Sequence, residues 1–202
     1  MPLRALALNC TLSPSPAESS TDRLLGEVLD ALAGHGVEHE SVRVVDHDVR
    51  PGVELDMGDG DGWPAIREKV VAADILVLGT PTWMGQQSSV CQRVLERLDA
   101  ELSETDEEGR LQTFGKVAIA VVVGNEDGAH HISAILFQAL NDVGFSLAAQ
   151  AVTYWNGEAM QSTDYKDLTA PREATQSATR TAAANAAHLA RLLQSQPYPA
   201  TS

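Results

Sequence analysis

Cysteine and basic residues are both scarce in this chain of 202 residues. There are two cysteines, Cys10 and Cys91, and neither belongs to a CxxC pair. That rules out a disulfide framework, and both thiols are expected to be reduced and structural. Lys and Arg number 14 against 28 Asp and Glu, a formal net charge of −14. Such a chain repels nucleic acid phosphate, and no basic stripe offsets the repulsion, so no nucleic acid partner is expected. No apolar run approaches the roughly 18 residues of a membrane span. The start, Met1-Pro2-Leu3-Arg4, lacks the longer hydrophobic core and cleavage site of a signal peptide. No membrane partner is expected, and cytoplasm is the expected location. Three motifs are missing as well. Without GxxxxGK[ST] a nucleoside triphosphate with magnesium is disfavoured, and without GxGxxG so is a Rossmann dinucleotide site. Without HExxH or a carboxylate pair no metal site is expected. His130 and His131 are adjacent, so on a helix they point in different directions.

What is present is ordinary in bulk and uneven in detail. The hydrophobic fraction is 44% and the charged fraction 21%, values of a soluble globular protein. Residues 1–195 are expected to form one domain and residues 196–202 a disordered tail. The acidity is local. Asp46, Asp48, Glu54, Asp56, Asp59 and Asp61 crowd one segment, and Glu101, Glu104, Asp106, Glu107 and Glu108 another. These read as solvated surface loops or as a docking face for a basic electron-transfer partner.

Apolar runs at 3–9, 74–79, 116–123 and 145–155, with an alternating run at 37–45, predict five strands. Helical spacing at 19–33, 64–73, 87–102, 129–143 and 172–193 predicts five helices between and after them, with 46–62 a long loop and 156–171 irregular. Regular β-α alternation argues for a doubly wound parallel sheet with helices on both faces, in strand order 2-1-3-4-5. In such a sheet, ligands bind at the carboxyl edge where strand order reverses.

Three loops reach that edge. The first, from Asn9 to Thr21, offers the hydroxyls of Thr11, Ser13, Ser20 and Thr21 beside a helix N-terminus, an anion site built from neutral donors with Arg23 as a possible helper. Its other reading is a turn that only caps a helix. The second is Thr80-Pro81-Thr82-Trp83-Met84-Gly85-Gln86. Its Trp either stacks on a planar ligand or packs on a neighbouring loop or subunit, and its Gly lets backbone approach a ligand. The third is Gly124-Asn125-Glu126-Asp127-Gly128, where Asn125 could reach polar ring atoms and the acids could cap the next helix. Tyr154 and Trp155 either wall this site or end a core strand.

The second loop, continued through Gln87-Ser88-Ser89, resembles the PTYWGQ-type loop of flavodoxin-like flavoproteins, among them the NAD(P)H-dependent FMN reductases and the multimeric flavodoxin or quinone reductase group. The third resembles that family's third flavin loop and the first its phosphate loop. The likeness spans roughly residues 3–157. It implies a flavodoxin-like fold, FMN as cofactor and NAD(P)H as reductant. It also implies that Thr11, Ser13, Ser20 and Thr21 hold the FMN phosphate, and that Pro81, Thr82, Trp83, Met84, Gly85, Asn125, Glu126 and Gly128 line the ring. Family phosphate loops often carry an Arg or Lys and a Gly-Asn; here Ser13-Pro14-Ser15-Pro16-Ala17-Glu18-Ser19-Ser20 stands in their place.

The expected activity is therefore FMN-dependent, NAD(P)H-driven reduction of a small quinone- or flavin-type acceptor, with no catalytic side chain of its own. The alternative is a flavodoxin-type one-electron carrier. A homodimer or higher homo-oligomer is expected, the polar stretch 156–171 and the long last helix serving oligomerisation or as a substrate lid.

Overall fold

The computed structural model describes residues 2–157 and 159–200. Its strands are β1 (Arg4–Asn9), β2 (Glu38–Arg43), β3 (Ile75–Trp83), β4 (Gln86–Gln87), β5 (Val117–Val123) and β6 (Ser146–Trp155). Its helices are α1 (Ser20–Ala33), α2 (Trp63–Ala72), α3 (Ser89–Leu98), α4 (Ala129–Asp142) and α5 (Glu173–Ser195). The sheet runs β2-β1-β3-β5-β6, all parallel. β4 is a two-residue arm paired antiparallel with β3. With that arm set aside, the order is the 2-1-3-4-5 expected from the sequence.

Every residue of β5 is buried, which a strand covered by helices on both faces requires and a continuous Val/Ile/Ala run supplies. Alternation then divides the core. Leu6, Leu8, Leu76 and Leu78 face α2, α3 and α4. Ala5, Ala7, Ile75 and Val77 face α1 and α5, since successive side chains of a strand point to opposite faces. β2 lies at the edge of the sheet and is mostly exposed. The inner face of α5 is Ala182, Ala183, Ala186, Ala187 and Ala190, all fully buried; methyl groups let the helix lie close against β6 and α1.

Several boundaries differ from expectation. β3 does not stop at Gly79 but runs on through Pro81, opposite Val123, to Trp83. It then turns back at Met84 (φ 52) and Gly85 (φ 74), a two-residue hairpin with both central residues left-handed. α3 is shorter than 87–102, giving way to a 3-10 stretch at Asp99–Ser103. The segment after β2 is aperiodic but not loose. The Asp61 carboxylate accepts N–H groups from Arg50, Met57 and Trp63 at 2.9–3.2 Å and pairs with Arg97 Nη1 at 2.7 Å, both side chains wholly shielded from solvent. Arg97 also donates to the carbonyls of Arg50 and Glu54. Near the end of the chain the Tyr198 ring packs on Phe114 and its hydroxyl bonds Ser146 Oγ at 2.9 Å. Residues 201 and 202 lie outside the described residues.

Candidate functional site

β1, β3 and β5 are neighbours, so the loops that follow them emerge side by side at the carboxyl edge. The first loop is braced from its flanks. Asn9 Oδ1 accepts the Thr11 N–H at 3.1 Å and its amide donates to Asp22 at 2.8 Å. Ser19 caps α1 by accepting the Asp22 N–H at 3.3 Å. From the end of β2, Arg43 donates to the Ala17 and Ser13 carbonyls and pairs with Asp22 at 3.2 Å. Ser15 gives both its N–H and its hydroxyl to Asp46; these bonds, with Arg43 and His47 nearby, hold Asp46 below the usual carboxylate range.

The predicted hydroxyls in this loop separate into two kinds. Ser13 is exposed and Ser20 half-buried at the start of α1, whereas Thr11 and Thr21 are enclosed, at 6% and 1% exposure. Arg23 is no helper. Its guanidinium is held by the carbonyls of Tyr165, Lys166 and Leu168 at 2.8–3.0 Å and lies over the Tyr165 ring, so it anchors the chain after β6 to α1. Burial and the Glu27 carboxylate, which accepts the Tyr165 hydroxyl at 2.5 Å, push that phenol well above its usual range.

Ser88 joins the first loop to the second. Its hydroxyl donates to the Cys10 carbonyl at 2.6 Å and accepts the Cys91 N–H at 3.0 Å, capping α3, while its own N–H reaches Thr80 Oγ1. Beneath it the two thiols are buried, and burial with the neighbouring Cys91 pushes the Cys10 thiol up.

The second and third loops are in contact. Gly128 sits at φ 142, and a Cβ there would fall 2.8 Å from Gly85 Cα, so the two backbones touch in a way only glycine allows. The Met84 N–H donates to Glu126 Oε1 at 2.9 Å, and His131 Nε2 meets Gln86 Oε1 at 3.2 Å. Glu126, predicted to line a ring, thus also ties the hairpin down. His130 turns instead to Tyr154, edge to face at 5.2 Å. Pro81 is half-buried and Thr82 buried, while Trp83 and Met84 stand out at 55% and 91% exposure. Asn125 is half-buried, its amide donating to Asp164 at 3.1 Å and its carbonyl accepting the Met160 N–H at 2.8 Å.

Sequence reasoning missed Arg43, Ser88 and Asp164. Ser88 carried a signal, a Ser immediately before a helical run. The other two act through partners 21 to 39 residues away, which no local pattern shows.

The start of α1, the exposed Trp83 indole and the touching Gly85 and Gly128 backbones thus all follow neighbouring strands at one edge of the sheet. The sequence profile of the NADPH-dependent FMN reductase family matches residues 3–159. The chain belongs to that family. As a member it is a flavoprotein with FMN as cofactor, and NAD(P)H is the reductant. The chain is 35% identical over 208 residues to the 8-demethyl-8-aminoriboflavin-5'-phosphate synthase of Streptomyces davaonensis, covering 98% of this chain and 81% of that one. The crystal structure of RosB with bound 8-demethyl-8-formylriboflavin-5'-phosphate superimposes with a TM-score of 0.88 at 34% identity, covering 97% of this chain and 82% of that one. The chain is also 40% identical over 169 residues to the divalent metal cation transporter MntH of Mycobacterium bovis, covering 82% of this chain but 25% of that protein; it spans about a quarter of that relative's length. Among the described residues of this family member, no helix is long and apolar enough to cross a membrane.

Proposed function

We propose that FMN lies across the three loops, its phosphate at the start of α1 and its ring against the joined second and third loops, and that the electrons pass to a small quinone- or flavin-type acceptor. The observation that carries the reading is the Gly85–Gly128 contact, which makes one wall of two loops with the Trp83 indole standing beside it.

The residues present fit the cofactor. Ser13 and Ser20 offer hydroxyls, and the first N–H groups of α1 lack helical acceptors, so neutral donors and the positive end of the helix meet the phosphate. Glu18 would oppose an anion, but the Lys166 ammonium lies close enough to feel it; Asp167 above all, then Asp164 and Glu18, holds that ammonium above its usual range. Trp83 covers apolar ring surface. Pro81 and Thr82 are rigid strand residues beneath it. When bound, FMN supplies hydride acceptance and onward electron transfer. The chain's part is to orient it, to exclude water with Trp83 and Met84, and to aim backbone N–H groups near Gly85 and Asn125 at the ring edge where negative charge grows.

The test is a visible-spectrum titration with FMN, followed by NADH and NADPH oxidation with and without a quinone. Saturable binding and quinone-dependent turnover support the proposal; absence of a spectral change at micromolar FMN refutes it. Oxidation of NAD(P)H that needs a partner protein would favour a one-electron carrier.

A second reading, favoured by the 35% identity to the synthase along nearly the whole chain, keeps FMN as cofactor and makes a flavin phosphate the substrate that the protein modifies. Mass spectrometry of the flavins recovered after turnover separates the two: flavin that is only reduced speaks for a reductase, covalently altered flavin for the second reading.

We further propose that this unit assembles as a homodimer. The α4 face carrying Ala134, Ile135 and Ala139 borders a surface concavity, and Met84 projects from the hairpin that packs on α4. Light scattering on the purified protein measures the assembly.

A further inference from the structure

The segment after β6 crosses the site instead of leaving it. Its first hold is on the third loop, through Met160 N–H to the Asn125 carbonyl at 2.8 Å and Asp164 Oδ1 to the Asn125 amide at 3.1 Å. Its second is on the first loop and α1, through Lys166 N–H to Ser20 Oγ at 3.2 Å and through the three carbonyls gripped by Arg23. Tyr165, fully buried, pins the middle.

The Asp164 contact has a directional consequence. A carboxylate only accepts hydrogen bonds, so the NH2 end of the Asn125 side chain must face it. That fixes the orientation of the amide. The Asn125 Oδ1 is the end left over, and it makes no hydrogen bond among the described residues. It is an acceptor held ready at the third loop. A flavin ring offers one N–H donor in its oxidised state, on the imide nitrogen between its two carbonyls.

We propose that Asp164 is a positioning residue for flavin recognition: by holding the Asn125 amide it turns Oδ1 toward the imide N–H, so that the site reads the pyrimidine edge of the ring. This rests on the reading that the three loops hold FMN. Asp164 itself touches no reacting atom. Its effect is specificity, because a fixed acceptor rewards an N–H partner and is left unpaired by a ring that lacks one.

The probes are FMN, 3-methyl-FMN, whose imide nitrogen carries a methyl group, and riboflavin. All three are titrated by flavin fluorescence against the wild-type chain, Asp164→Ala and Asp164→Asn. The wild type is expected to bind FMN at least tenfold more tightly than 3-methyl-FMN. In Asp164→Ala that ratio falls to within threefold through weaker FMN binding, while the ratio of FMN to riboflavin affinity, which reports the phosphate, stays put. Asp164→Asn, whose side-chain oxygen still accepts from Asn125, restores the discrimination. A wild-type ratio preserved in Asp164→Ala overturns the proposal, as does a parallel fall in both ratios, which marks a merely structural strap. No FMN binding by the folded wild type would instead overturn the reading of the three loops.

Discussion

The loops that follow β1 and β2 leave the same edge of the sheet with similar stocks of polar side chains, and they use them in opposite ways. In the loop after β2, Asp61 and Arg97 complete one another and gather the N–H groups of Arg50, Met57 and Trp63 and the carbonyls of Arg50 and Glu54 into one closed knot of backbone bonds. In the loop after β1, the supports come from outside, through Arg43, Asp22 and Asp46, and among the described residues the Ser13 hydroxyl and the Ser20 and Thr21 N–H groups are left uncommitted. A loop whose groups satisfy each other is architecture. A loop held open by its neighbours has capacity for a ligand.

That contrast can be broken at either end. The largest effect is expected at Asp61→Ala, which leaves the Arg97 guanidinium buried without its counter-charge and costs about 3–5 kcal/mol of stability. Urea unfolding measures the loss, and FMN affinity of the folded fraction should remain within threefold of wild type; a collapse of both would mean that the two loops are one unit. Ser20→Glu is the complementary change. It places like charge at the helix start, so FMN affinity should fall about a hundredfold or more, roughly 2.7 kcal/mol, with riboflavin affinity and unfolding midpoint little altered. Ser20 is the better position for this than Thr21, whose side chain is enclosed. Trp83→Ala should weaken FMN and riboflavin alike, by roughly tenfold, since only ring coverage is lost. The smallest effect is in acid. Burial alone would raise the Asp61 pKa, but the three N–H donors and Arg97 outweigh it and bring it down to about 2, against about 3.9 in an unfolded chain. The lowered value means that its contribution is complete above about pH 4 and fades as pH falls through 2. Stability of Asp61→Ala should therefore lose less over that window than wild type does.

The architecture was legible because its signals are local. Unbroken apolar runs such as Val117–Val123 and the leucine spacing of α1 announce elements one at a time, and their alternation implies the sheet. The site was legible as three loops but not as a joined surface. Nothing near Met84 in sequence shows that it turns with φ 52, because a left-handed Met is sterically disfavoured and is stabilised here by Gly85 and by Glu126, 42 residues on. Arg23 looked available from its place beside the serines, yet the three carbonyls that hold its guanidinium lie over 140 residues away. The acidic segments read as solvated loops or a docking face because acids usually are exposed; Asp61 and Glu101 are buried, and only Arg97, 36 positions after the one, and Arg67, 34 positions before the other, reveal it.

The touching backbones of Gly85 and Gly128 limit how this protein can be re-engineered. Since a Cβ at position 128 would fall 2.8 Å from the Gly85 main chain, and one at position 85 would sit on a left-handed backbone at φ 74, neither glycine can take a side chain without shifting the turn. A designer wanting a bulkier guest would have to insert residues into the Met84–Gly85 tip or the Asn125–Asp127 arc, changing loop length where most pockets are tuned by swapping side chains.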